Sequence, residues 1–405
     1  MDSEIIRQLA KSGLLPQEEM LEVKTRDSKL FIGIPKETGF QEKRIPLVPE
    51  SVGLLVNNGH RVIIESKAGD KAGFSDNDYS EAGAEIIFET KEVYQANVVM
   101  KVSPPTLEEI EMFDALKKQL LISSLQLKIQ PRDFVQKLAK KRITAIAYDY
   151  VQDQDGVYPI IRSMGEIAGT TSMLIAAEYL SNTNDGQGIM LGGIAGVKSV
   201  EVVIIGAGGV GESAARAALG LGATVKVFDD EIYKLRRLVN AVGQRIFTSI
   251  IQPKLLAKSL KHADVVIGAL RPKEGSAPCV VTEEMVSAMK FGSVIVDVSI
   301  DNGGCFETSE VTTHDNPIFK KYGVIHYCVP NIASRVSKTA SYALSNAFTP
   351  MLLEMGRVGG IEKMCRTNLG VRHGIYIYNG CVTNRVLAES FDMPYKDIDL
   401  LMAAF

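Results

Sequence analysis

Gly206, Gly208 and Gly211 stand at G-x-G-x-x-G spacing, and the residues on either side decide what that spacing can do. An apolar run, Val202-Val203-Ile204-Ile205, leads straight into the glycines. A helical stretch, Glu212–Leu221, follows, and a second apolar run, Thr224–Phe228, ends at Asp229. The first glycine permits a tight turn, the second lets a pyrophosphate meet the backbone, and the third lets helix and strand pack closely. Gly209 and Val210 complete the loop, whose free N–H groups at the helix start would receive the phosphates. Asp229 comes roughly 20 residues after the glycines, where a carboxylate takes ribose hydroxyls. The pattern therefore points to dinucleotide binding. Asp229, Asp230 and Glu231 repel a 2′-phosphate and favour NAD over NADP, while Lys234 tempers that preference.

Other chemistries are absent from the sequence. Histidines 60, 262, 314, 326 and 373 form no metal-ligand spacing with the cysteines, so no metal site is expected. There is no G-x-S-x-G and no Walker lysine after a glycine-rich loop. Five cysteines, scattered and without C-x-x-C spacing, suit reduced thiols in a cytosol. A net charge of −3 without a basic block speaks against nucleic acid and against a membrane surface. No stretch of about 18 apolar residues occurs, and the start is no signal peptide. The expectation is a soluble cytoplasmic protein acting on a small molecule.

The elements that must position these residues follow an α/β rhythm. A chain of 405 residues exceeds one ordinary core, so two domains are expected. Strand candidates are Leu30–Ile34, Arg61–Glu65, Glu85–Phe88, Val98–Val102, Leu120–Ser123 and Ile143–Tyr148, with helices at Glu50–Asn58 and Arg132–Lys141. Such runs separated by helical periods mean mostly parallel sheets with helices on both faces. Gln152–Pro159 reads as a linker and Gly165–Ser181 as a long helix between domains. Beyond the glycine unit, Ala263–Leu270, Ser293–Val298 and Val324–Cys328 are strands, and Thr339–Met355 is a helix returning to the first domain. The fold class is α/β, two Rossmann-like doubly wound domains separated by a cleft. Residues 1–28 form an extension, 29–158 plus 338–405 a substrate domain, and 159–337 the NAD-binding domain.

Three further stretches carry a family likeness. They are Ile32–Glu37 with Glu42-Lys43-Arg44, Val98–Val102, and Val296–Glu307 with its Asp301-Asn302-Gly303-Gly304 turn. With Cys328-Val329-Pro330-Asn331 and Lys338–Leu344, they make the chain resemble the alanine dehydrogenase / transhydrogenase α-subunit family, over nearly everything from Leu30 to Met355. The resemblance implies NAD-dependent, reversible oxidative deamination of L-alanine to pyruvate and ammonia, commonly by a homo-hexamer. It makes Arg44 the clamp on the substrate carboxylate, a role for which a planar guanidinium fork is suited. On residue type alone Arg44 would be a surface arginine in a charged turn. Lys101 would hydrogen-bond the carbonyl or imine, and Asp301 would order the nicotinamide ribose and assist proton transfer. Asn331 would border the nicotinamide pocket, with Leu270 and Ile300 against the cofactor.

The departures from the family are specific. Its general acid/base histidine, in a Leu-His-Leu setting, is here Gln126 in Leu125-Gln126-Leu127, and an amide cannot exchange a proton near neutral pH. Gly165 replaces a serine that touches the cofactor. Arg335 adds a charge near the cleft and either pairs with an internal acid or receives a second anionic group on a larger substrate. Asp301, Lys101 and His326 are the candidate replacements for the histidine, although the alternation around His326 reads as a core histidine. A related dehydrogenase for a dicarboxylic acid and a catalytically silent NAD(H)-binding homologue are the alternatives.

Overall fold

The computed structural model describes residues 28–127, 130–271 and 277–403. The expected arm at 1–28 lies, but for its last residue, outside the described residues. Six strands open the chain: β1 (Phe31–Ile34), β2 (Arg61–Glu65), β3 (Glu85–Ile87), β4 (Val98–Met100), β5 (Leu120–Ser123) and β6 (Thr144–Ala147). Seven more follow: β7 (Glu201–Ile205), β8 (Thr224–Asp229), β9 (Phe247–Ile250), β10 (Val265–Gly268), β11 (Val294–Asp297), β12 (Ile318–Lys321) and β13 (Val324–Tyr327). These form a seven-stranded sheet of order β12-β13-β11-β10-β7-β8-β9. The last two, β14 (Ile375–Tyr378) and β15 (Cys381–Val382), rejoin the first six in an eight-stranded sheet of order β15-β14-β6-β5-β4-β1-β2-β3.

Within each sheet the central strands pair in parallel, and their residues are buried on both faces, as β10, β11 and β13 show throughout. Among the described residues the antiparallel strand pairs lie at the sheet margins, β12 on β13 and β14 with its neighbours. The sequence passes over β9 and β12 because both lie on sheet edges and are only half-buried, which removes the apolar signature.

Helix α1 (Pro159–Tyr179) joins the two sheets. It starts earlier than Gly165 because Pro159 sits in its first turn, where a missing N–H costs nothing. Its first half, with Ile160 and Met164, packs into the first core, and its second half, from Ala168 to Tyr179, into the second. Helix α2 (Gly209–Gly220) lies directly against it. The approach is close enough that a β-carbon on Gly169 would fall on the carbonyl oxygen of Val210. Helix α3 (Ile232–Val242) follows β8, and the long helix α4 (Ser337–Val358) packs back on the first sheet's core through Leu344, Phe348 and Leu352.

Gly169 thus couples the spanning helix to the glycine loop. Gly169→Ala should push α1 off α2 and destabilise the chain by about 1–3 kcal/mol, the usual cost of overpacking. A lowered melting temperature together with weaker NADH binding is expected. An unchanged melting curve would show that the crossing has slack.

Candidate active site

The glycine loop is shaped for a phosphate. Gly206 adopts φ +114°, and a β-carbon there would strike the Ala269 carbonyl. One on Gly211 would strike the Gly206 carbonyl, whereas one on Gly208 would meet no protein atom within 4 Å. Open space therefore lies over the backbone only where a pyrophosphate has to approach. No side chain caps α2 at Gly208, so the N–H groups of its first turn, from Gly209, Val210 and Gly211, remain available to an anion. These residues fit a dinucleotide.

Asp229 ends β8 with 1 % exposure. Its carboxylate accepts the N–H of Ala207 at 2.6 Å and that of Glu231 at 2.8 Å. Burial raises its pKa, and those two N–H groups pull it back only in part. The aspartate anchors the glycine loop, which leaves only its remaining lone pairs for a ligand. Lys234 pairs with Glu231 at 3.1 Å. Leu270 and Ile300 lie just beyond β10 and β11, Leu270 half-buried and Ile300 buried.

Arg44 lies in the loop between β1 and the helix Pro49–Asn57, which has no strand to pair with. Serine hydroxyls take its backbone N–H groups instead: Ser334 that of Lys43 at 2.8 Å, Ser341 that of Ile45 at 2.9 Å, Ser345 that of Val48 at 3.1 Å. The Arg44 guanidinium is gripped through Nε and Nη2 by both oxygens of Glu42, each at 2.7 Å, and Nη1 faces Met164 Sδ at 3.3 Å. Glu42 also accepts the Asn331 amide at 3.0 Å, and the Asn331 N–H donates to Asp301 at 2.8 Å. A continuous chain, Arg44–Glu42–Asn331–Asp301, thus runs from the first sheet's loop to the end of β11. Asn331 makes the link in the left-handed region, φ +57°, which asparagine tolerates better than most residues.

The charges in this chain are displaced from ordinary behaviour. Burial pushes the Glu42 carboxyl up, but the charge and hydrogen bonds of Arg44 outweigh it and hold the group below its usual range. Asp301 faces solvent in the cleft yet is crowded by protein, and desolvation raises its pKa against the Asn331 N–H and Arg44. A second carboxyl, Asp149, behaves alike beyond the end of β6. Burial raises it, opposed by the Ser124 hydroxyl at 2.6 Å and by Arg44 and Arg271. In the sequence Glu42 falls within the family stretch, but neither it nor Asp149 is assigned a role; for Asp149 a lone acid between Tyr148 and Tyr150 at a parallel strand's carboxyl end is the available signal.

Lys101 is not brought to Arg44. It is wholly buried, and its three donors go to Glu109 at 2.8 and 2.9 Å and to Thr38 at 3.3 Å. A buried ammonium requires a counter-charge, and the helix starting at Leu107 delivers one. In this geometry no donor of Lys101 is left for a substrate carbonyl, contrary to the sequence expectation. Gln126 follows β5 as an exposed residue at φ +45°. Gly165 lies where a β-carbon would come within 3.5 Å of Val210 Cγ2, beside the glycine loop. Arg335 pairs with Glu178 at 2.6 Å and lies over the Tyr327 ring at 5.8 Å, so it meets an internal acid. His326 is a satisfied core histidine: Nδ1 lies 3.0 Å from the Val324 carbonyl, Nε2 2.9 Å from Thr308, and the ring stacks on Phe319.

Comparison with known proteins agrees with the two-sheet fold. Residues 33–168 match the alanine dehydrogenase/PNT N-terminal domain and residues 172–385 the C-terminal domain. The chain is 40 % identical to alanine dehydrogenase 2 of Staphylococcus aureus (strain USA300) over 369 residues, covering 91 % of this chain and 98 % of that protein. Among solved structures, an L-alanine dehydrogenase superposes with a TM-score of 0.83 at 36 % identity, over 89 % of this chain and 99 % of that one. A transhydrogenase from Sinorhizobium meliloti gives 0.73 at 25 % identity, over 88 % and 99 %.

Glu42 contributes stability above its unfolded pKa, near 4.5, and loses that contribution as pH falls through its lower folded value. Glu42→Gln should therefore be less stable than wild type at pH 7, by about 3–5 kcal/mol if Arg44 stays buried and unpaired. The gap should narrow below pH 4.5. Melting curves across that range would show it; a gap independent of pH would mean that shape rather than charge holds Arg44.

Proposed function

The chain belongs to the alanine dehydrogenase/PNT family, and we propose that it is an NAD-dependent L-alanine dehydrogenase. The reaction is the reversible oxidative deamination of L-alanine to pyruvate and ammonia. One observation carries the reading. The Arg44–Glu42–Asn331–Asp301 chain joins a carboxylate-binding arginine to the sheet that carries an open, uncapped glycine loop.

NAD, when bound, supplies the hydride acceptor. The protein's part is to place and protonate. The Gly208–Gly211 backbone and Asp229 hold the dinucleotide, while Leu270 and Ile300 pack beside it. Glu42 fixes the plane of the Arg44 fork, so its remaining Nη1 edge meets a substrate carboxylate without reorganising. Asp301 and Asp149 carry the proton traffic in place of a histidine, because desolvation raises both, in the direction of working pH. Among the described residues no helix is long and apolar enough to cross a membrane. In this reading the enzyme works in the cytoplasm as a homo-oligomer, with the hexamer as the arrangement the resemblance implies.

Purified protein with NADH, pyruvate and ammonium should turn over within about 1–10³ s⁻¹. Tight NADH binding with no turnover of any 2-oxo acid would leave a silent cofactor-binding protein instead. Asp301→Asn should lower kcat by about 10²-fold or more. The wild-type pH profile should lack an inflection near 6.5, where a histidine titrates, and Gln126→His should raise kcat and introduce one. A wild-type profile with a histidine-like limb would refute the carboxyl assignment.

A further inference from the structure

Asp297 closes β11, is wholly buried, and has no part in the mechanism above. A buried carboxylate is costly unless donors satisfy it. Here they converge on it from separate points of the chain. Oδ1 accepts the Ser299 N–H at 3.0 Å and faces the Cys305 Sγ at 3.8 Å. Oδ2 accepts the Cys305 N–H at 3.1 Å and the Ser309 hydroxyl at 2.7 Å. A shell of donors suits an ionised acceptor, and these bonds oppose the rise in pKa that burial imposes.

Neighbouring backbone is cut away to admit the group. Gly268 lies opposite Asp297 in the β10–β11 register, and a β-carbon there would come within 2.6 Å of Oδ1. One on Gly304 would come within 2.8 Å of Oδ2. Neither position has room for a side chain while the carboxylate stays.

What the carboxylate holds is the turn that carries Asp301. The 3-10 turn Val298–Asn302 is entered at Ser299 and left toward Cys305, and Asp297 takes the N–H at both points. Between them, Gly303 and Gly304 donate back to the carbonyls of Ile300 and Ser299, each at 3.0 Å. A second tie leads to Asn331. The Ser309 hydroxyl that donates to Asp297 receives the Cys328 thiol at 3.7 Å, shortly before Asn331 in the chain. The Asn331 N–H is in turn the donor to Asp301. Both partners of the Asp301–Asn331 contact therefore trace back to one buried carboxylate.

We propose that Asp297 is a positioning residue for the dehydrogenase reaction, setting the place of Asp301 and Asn331 without itself touching substrate or cofactor. The inference rests on the dehydrogenase reading above and adds the group that keeps its proton-carrying carboxyl in register. An asparagine at 297 keeps one acceptor and turns an amide NH₂ toward N–H donors, so the turn loses one of its two anchors. Asp301 is then less crowded by protein, and its pKa falls back toward the ordinary carboxylate value.

The test compares Asp297→Asn and the milder Ser309→Ala, each made in wild type and in Asp301→Asn. Asp297→Asn should lower kcat by about tenfold or more through misplacement, while KM for pyruvate, which Arg44 governs, stays near wild type. The limb of the pH–rate profile that belongs to Asp301 should move to lower pH. Ser309→Ala should change both quantities in the same direction and by less. In the Asp301→Asn background neither substitution should lower kcat further, because the group they position is already gone. Wild-type kcat and an unmoved limb in Asp297→Asn, or an equal loss in both backgrounds, would reduce Asp297 to support of the fold and overturn the proposal. Should Asp297→Asn not fold, Ser309→Ala decides by the same comparison, since it leaves both N–H bonds of the turn in place. NADH affinity, followed by fluorescence in the same four backgrounds, separates the two readings. A loss of affinity that disappears in Asp301→Asn, with no 2-oxo acid turned over, supports the positioning role and defeats the dehydrogenase reading alone.

Discussion

A guanidinium removed from water must be given a counter-charge, and Glu42 is the one given to Arg44. Breaking such a pair leaves an uncompensated buried charge, which is far costlier than never burying either group. The pairing therefore dictates where the whole loop runs. Residues 35–48 have no ladder of their own, so they hold position through serine hydroxyls from the last turn before α4 and from α4 itself. The chain's C-terminal third must return to the first sheet for those hydroxyls to be present. The second oxygen of Glu42 then ties Asn331, and through it Asp301, to the same point.

The fold was legible because parallel strands buried on both faces write themselves as apolar runs, and nearly every such run became a strand. The glycine unit was equally legible, since Gly206 and Gly211 are demanded by backbone contacts and Gly208 by the need for open space. What the sequence did not carry was direction. Lys101 and Arg44 both read as cations beside a cleft, yet Lys101 is closed off by Glu109, which is supplied from a helix whose capping box with Thr106 also holds that carboxylate. Only three-dimensional placement distinguishes a lysine that binds a ligand from one that neutralises a neighbour. Asp229 carries the same lesson: its type and spacing point to a ribose, while its bond to the Ala207 N–H makes it a structural anchor.

Two positions with left-handed backbone geometry lie just beyond strand ends. Asn331 and Gln126 are non-glycine residues with positive φ, each following the carboxyl end of a strand. Such conformations persist when their surroundings over-determine them. For Asn331 the surroundings are visible: its amide and its N–H hold two different carboxylates, and neither contact survives if the residue relaxes to an extended form. That explains why a short polar side chain stands at this turn.

The absence of the family's histidine has a consequence for how protons move here. A general acid/base works best with a pKa near the working pH, which a histidine reaches unaided and an exposed carboxylate does not. Crowding by surrounding protein is the available remedy for a carboxyl, and the desolvation it brings raises both Asp301 and Asp149. The same crowding places each within the field of Arg44, which favours the ionised form and limits the rise. An anion bound on Arg44 would offset that field, so arrival of a substrate carboxylate would itself raise both aspartates further. In the proposed mechanism, substrate binding and readiness for proton transfer would thereby be coupled through one guanidinium.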